Sequence, residues 1–137
     1  MIKYFFLLLT MLATTSLAAP LLTTTQSWDA GSIAYPVGQA EIASIVLRLE
    51  EGKAAPFHCH PVPTMGYVLQ GTVQVETKSG KTTTIAKGDA LVEVMRTVHR
   101  GIAVGGPAEL VVFYAGAEGI PHTVLPSDDP GGVHCDD

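Results

Sequence analysis

From position 41 onward the chain is a series of short apolar runs separated by turn residues. Val, Ile, Leu and Thr dominate runs over residues 41–49, 66–70, 72–77, 82–86, 90–94, 98–104 and 109–115, and Gly or Pro punctuates the intervals between them. Runs of this length and spacing predict an all-β sandwich or barrel. Beyond the N-terminus no segment carries the periodicity of an amphipathic helix.

The stretch TVQVETKSGKTTTIA, residues 72–86, places Val73 and Val75 on one face and Gln74 and Glu76 on the other, with Lys78-Ser79-Gly80-Lys81 between two alternating segments. That pattern predicts a β-hairpin. Residues 51–56, 87–89 and 105–107 each hold the Gly or Pro that a sharp reversal favours. The intervals are too short for crossover helices, so the strands should pair antiparallel. At 137 residues the chain is the size of one domain.

Apolar residues make up 47% of the chain and charged residues 15%, enough to build a core. The formal net charge is −5, and the eight Lys and Arg are scattered. Nucleic acid is thereby excluded as a partner, because phosphate binding needs grouped cations, and an anionic lipid surface is disfavoured for the same reason.

The N-terminus changes the setting. Lys3 is a short basic region, residues 4–13 are apolar, and small residues surround Ser16-Leu17-Ala18. This is the layout of a cleaved export signal over residues 1–18. As a helix the apolar part would reach only ~15 Å, against a hydrocarbon core of ~30 Å, so it is too short for a membrane anchor. Cleavage after Ala18 removes Lys3, leaving seven basic against thirteen acidic residues, or −6. The expected location is periplasmic or secreted, with no membrane attachment after cleavage.

Export would place Cys59 and Cys135 where oxidation is permitted. The sequence leaves open whether they pair or stand as independent thiols. Cys135 lies in a polar, Gly-rich tail, residues 128–137, expected to be mobile, and Cys59 lies between two histidines.

Those histidines are the densest chemical signal, in Phe57-His58-Cys59-His60-Pro61. In an extended strand His58 and His60 point to the same side, ~6.6 Å apart, while Cys59 points away. His99 opens a later strand that an antiparallel barrel could return beside the pair. Imidazole suits zinc, iron, nickel and copper, whereas calcium and magnesium want oxygen ligands that this cluster lacks. Three protein ligands would leave coordination positions open, as in catalytic sites.

The residues around these histidines resemble the cupin family. GKAAPFHCHPVPTMGYVLQG, residues 52–71, is similar to the first cupin motif, G-x5-H-x-H-x3–4-E-x6-G, and GDALVEVMRTVHRGIA, residues 88–103, resembles the second, G-x5-P-x-G-x2-H-x3-N. The resemblance implies an antiparallel jelly-roll β-barrel, a single cupin domain over residues 19–127, and a divalent transition metal (Fe, Mn, Ni or Zn) held by His58, His60 and His99. It is also compatible with a homodimer in which the segment around Trp28 and Asp29 reaches a neighbouring subunit.

Departures from the motifs are equally informative. The family's metal-binding Glu is replaced by Thr64, or by Met65 at the longer spacing, and its second-motif Pro, Gly and Asn by Val94, Arg96 and Ala103. Thr64 is carried as a weak candidate ligand. Glu93, the only carboxylate in its run, is a weak candidate for proton transfer or for orienting an imidazole, and the preferred reading has it facing solvent or pairing with Arg96 or Arg100. Met65, Tyr67, Phe57 and Phe113 are candidates for the wall of an apolar pocket, or for plain core. A three-histidine centre without the acid resembles cupin dioxygenases that use ferrous iron. The implied function is a metal-binding cupin acting on a small organic molecule with dioxygenase-like chemistry; the alternative is a non-catalytic module that binds a small ligand or metal.

Overall fold

The computed structural model describes residues 18–136, so the export segment expected at residues 1–18 lies, except for Ala18, outside the described residues. The expected runs become seven strands: β1 (Ala40–Leu49), β2 (Thr64–Gln70), β3 (Thr72–Thr77), β4 (Thr82–Ala86), β5 (Ala90–Val92), β6 (His99–Ala103) and β7 (Ala108–Ala117). A single 3-10 turn at Pro126–Asp128 is the only helical element among the described residues.

The strands form two sheets, ordered β1-β7-β2-β5 and β4-β3-β6, and every paired neighbour runs antiparallel. Period-two alternation decides which side chains face inward. In β7 the buried positions include Ala108, Leu110, Val112 and Tyr114, and in β3 they are Val73, Val75 and Thr77. Leu49, Val68, Ile85, Leu91 and Ala103 complete the apolar interior between the sheets. The same phase turns Phe113, Met65 and Tyr67 to the outer face, where Met65 is opposite Phe113 and Tyr67 opposite Val111. These three do not wall the interior.

The chain passes from β2 to β3, and so between the sheets, at Gly71. Its φ is 78°, and a Cβ there would lie 2.3 Å from the Pro107 carbonyl oxygen and 2.9 Å from Ala108 Cα. No other residue fits that corner unchanged.

The tail differs from expectation. Cys59 and Cys135 form a disulfide, and Cys59, Val98, Val124 and Cys135 make a small second core against which Phe57 packs. Arg96 donates to Asp136 Oδ1 from both Nε and Nη2, and the Asp136 amide donates to the Arg96 carbonyl. Asp129 accepts from the amides of Val133, His134 and Cys135. Residues 129–136 are therefore docked rather than free, because polar groups that would otherwise sit in water find partners here.

Candidate metal centre

Two backbone contacts assemble the histidines. His58 and His99 exchange a reciprocal pair of hydrogen bonds, amide to carbonyl, at 2.9 and 2.8 Å. Such a pair puts residues far apart in sequence directly opposite each other. His60, two residues on, projects to the same side as His58, and the Arg96 amide donates to its carbonyl at 2.8 Å. The imidazole centroids lie 4.6–5.1 Å apart, and one ring nitrogen from each histidine falls within 4.8 Å of the others.

Each ring is oriented by a carbonyl. Nδ1 of His58 lies 2.8 Å from the Pro56 oxygen, Nδ1 of His60 2.8 Å from the His122 oxygen, and Nδ1 of His99 2.8 Å from the Thr97 oxygen. A carbonyl only accepts, so Nδ1 must carry the proton in each ring and Nε2 is left as a bare lone pair. A backbone carbonyl on the far nitrogen is the usual device for fixing a metal-binding imidazole.

Electrostatics agree. Burial pushes all three imidazoles below their ordinary range, and His60 falls to about 3, with His58 and His99 adding mutual repulsion. They stay neutral at pH 7 and available as ligands. The donor set therefore fits a divalent transition ion.

The rings open into a cavity of about 250 Å³ whose walls come from both sheets, including Ile45, Leu47, Leu49, Val73, Val75, Leu110, Val112 and Tyr114. Its walls are largely aliphatic. Glu93 also lines the cavity, which corrects the preferred reading of its position. It neither faces solvent nor pairs with Arg96 or Arg100: Arg96 is taken by Asp136, and Arg100 binds Glu76 and lies over the Phe57 ring. Burial raises its carboxyl to about 7, a shift tempered by His58 and by the Trp28 indole.

Thr64 is not brought to the site. It is buried on the inward phase of β2, opposite Tyr114, but it does not line the cavity, and its hydroxyl donates to the Val62 carbonyl at 3.0 Å. Cys59 points away from them, as strand alternation predicts. His122, in contrast, contributes through its backbone, and its ring stacks on Tyr114 with centroids 5.0 Å apart and its Nε2 3.1 Å from Glu41. No local signal in the sequence marks that carbonyl as the partner of His60, 62 positions earlier.

The cupin domain model matches residues 45–114, just over half of the chain. Among solved structures, DMSP lyase DddQ from Ruegeria pomeroyi aligns with a TM-score of 0.55 at 20% identity, over 64% of this chain but only 44% of the lyase. An uncharacterised Klebsiella pneumoniae protein with a double-stranded β-helix domain aligns at 0.53 and 20% identity, covering 69% and 75% of the two chains. An oxalate oxidase in complex with the substrate analogue glycolate aligns at 0.52 and 22% identity, covering 61% and 45%. At these identities the likeness is one of fold. None of the curated proteins matches the chain by sequence.

Proposed function

The chain belongs to the cupin family, and from that premise we propose that it is an exported, metal-dependent protein acting on a small organic molecule, with oxygen chemistry as its reaction class. One observation carries the reading: three imidazoles from two separate segments present bare nitrogens to a common point inside an apolar cavity. A structural site would gain nothing from opening onto a cavity, whereas a reactive one needs it. His58, His60 and His99 would hold iron, manganese, nickel or zinc. Bound there, such an ion would supply Lewis acidity or one-electron chemistry toward dioxygen.

The chain's own groups do the rest. The carbonyls of Pro56, His122 and Thr97 hold the rings in one tautomer, and the aliphatic wall excludes bulk water. At about 250 Å³ the cavity falls below the ~300–1,000 Å³ of drug-sized sites, which suits a ligand smaller than drug size. Export is supported by the Cys59–Cys135 disulfide, since such bonds persist in oxidising compartments. N-terminal sequencing of the mature protein checks it, with a start at Ala19 expected and an intact Met1 opposing it.

A second reading, a binding module without catalysis, is favoured by the replacement of the first-motif Glu by Thr64. Elemental analysis of the untagged protein separates the two. Stoichiometric iron, manganese or nickel, abolished by His58→Ala and by His99→Ala, supports the metal centre; metal retained by both variants removes it.

A further inference from the structure

The ion expected at this centre would be dipositive, and three neutral imidazoles would leave that charge uncompensated in an apolar cavity. Burying such a charge is costly unless an anion accompanies it. The first motif offers none at Thr64, but the second motif does, just beyond β5.

Glu93 Oε2 and His99 Nε2 are both buried, both without a hydrogen-bond partner, and 3.5 Å apart. That spacing is longer than a direct O–H···N hydrogen bond. An O–H donated to the bare Nε2 would draw the atoms to roughly 3 Å or less. An ionised carboxylate would set lone pair against lone pair. A cation shared by both atoms resolves this: ligand atoms ~2.0–2.2 Å from one ion, at a tetrahedral angle, stand ~3.4 Å from each other.

The backbone also holds the residue in place. The Glu93 amide donates to the Thr64 carbonyl at 2.8 Å, so the two motifs meet where the acid is exchanged. The neighbouring Trp28 amide donates to Val92 at 2.9 Å, which seats the indole beside the carboxyl. The arginines nearest in sequence are engaged elsewhere and do not compete for it.

We propose that Glu93 is a fourth protein ligand, its Oε2 turning from beside His99 Nε2 onto the divalent ion held by the Nε2 atoms of His58, His60 and His99, so that the second motif supplies the carboxylate missing from the first. This rests on the metal-dependent reading above. It assigns Glu93 to coordination rather than to proton transfer. With the ion's charge partly neutralised, an anionic substrate is not required.

Cobalt(II) titration of the mature protein, Glu93→Gln and His99→Ala, read by visible absorption and by chelator competition, tests the assignment. Wild type should take up one cobalt per chain. Glu93→Gln should bind about a hundredfold more weakly or worse, with a shifted ligand-field band and an unchanged far-ultraviolet circular dichroism spectrum of the metal-free protein. Wild-type affinity and band in Glu93→Gln would overturn the assignment while leaving the three-histidine centre standing. Weaker binding with an unmoved band would overturn it too, since the carboxylate would then act only through its field. If wild type and His99→Ala both fail to bind cobalt, the metal centre itself falls.

Discussion

The three imidazoles and Glu93 respond to burial with opposite signs. A buried imidazole resists taking a proton, so its folded-state pKa falls below the ordinary value, and stability is lost as pH drops below about 6.5. A buried carboxyl resists losing one. Glu93, raised to about 7 from 4.5, contributes stability below its ordinary value that is lost as pH rises through about 7. Glu93→Gln is neutral at every pH and removes only the second effect. In metal-free protein kept in chelator, the variant should unfold at nearly the wild-type temperature at pH 5. At pH 8 it should be more stable by on the order of 2 kcal/mol. A gain that is the same at both pH values would mean that the wild-type carboxyl is not held protonated by burial. The sequence showed the histidines because His58 and His60 share a strand face whatever the tertiary fold. It did not show Glu93 as a cavity residue, because a lone carboxylate in an apolar run is ordinarily turned to solvent, although Glu93 shares the phase of buried Leu91.

Elements bring the two motifs together, and corners decide whether they meet. Gly71 turns β2 out of the larger sheet and into β3 of the smaller one, with Pro107 and Ala108 packed against its open side. Gly71→Ala meets both a positive φ and a backbone collision, and should lower stability by on the order of 3 kcal/mol in denaturant unfolding. Gly80, at φ 92° in the β3–β4 turn with nothing within 4 Å, is the control. Gly80→Ala should cost about 1 kcal/mol from backbone strain alone. Equal losses at the two sites would show that close packing at the corner is unimportant. Arg96 is a further corner, where the family motif carries Gly and this chain holds a non-glycine residue at φ 60°. Its ion pair with Asp136 and its bond to the Val133 carbonyl at 3.0 Å offset that strain and tie the corner to the tail. Strand positions were legible in the sequence from apolar runs and turn residues. The facing of Phe113, Met65 and Tyr67 was not, because alternation fixes which residues share a face and not which face is inner.

At the scale of the whole molecule, the jelly roll is joined to its C-terminus through the segment between β1 and β2 that carries two of the metal-site histidines. Cys59 lies between His58 and His60, its side chain on the opposite face, and its bond to Cys135 closes a loop with a sequence separation of 76 residues. The pairing was not legible because nothing in a Gly-rich polar tail indicates where its end docks; the docking depends on Arg96, Cys59 and Val124, which come from three separate segments. Crosslinking so distant a pair restricts the unfolded chain and, on the chain-entropy account, stabilises the fold by up to about 4 kcal/mol. Cys135→Ser should therefore lose about 2–4 kcal/mol in denaturant unfolding of metal-free protein, and wild type treated with reductant should fall to the same midpoint. Releasing the tail also frees the far side of the His58–His60 segment, so cobalt affinity should drop in Cys135→Ser although no ligand has been changed. An unfolding midpoint unaffected by both substitution and reductant would show that the tail rests on the barrel without stabilising it, and unchanged cobalt binding would show that the histidine segment is held by the His58–His99 backbone pair alone.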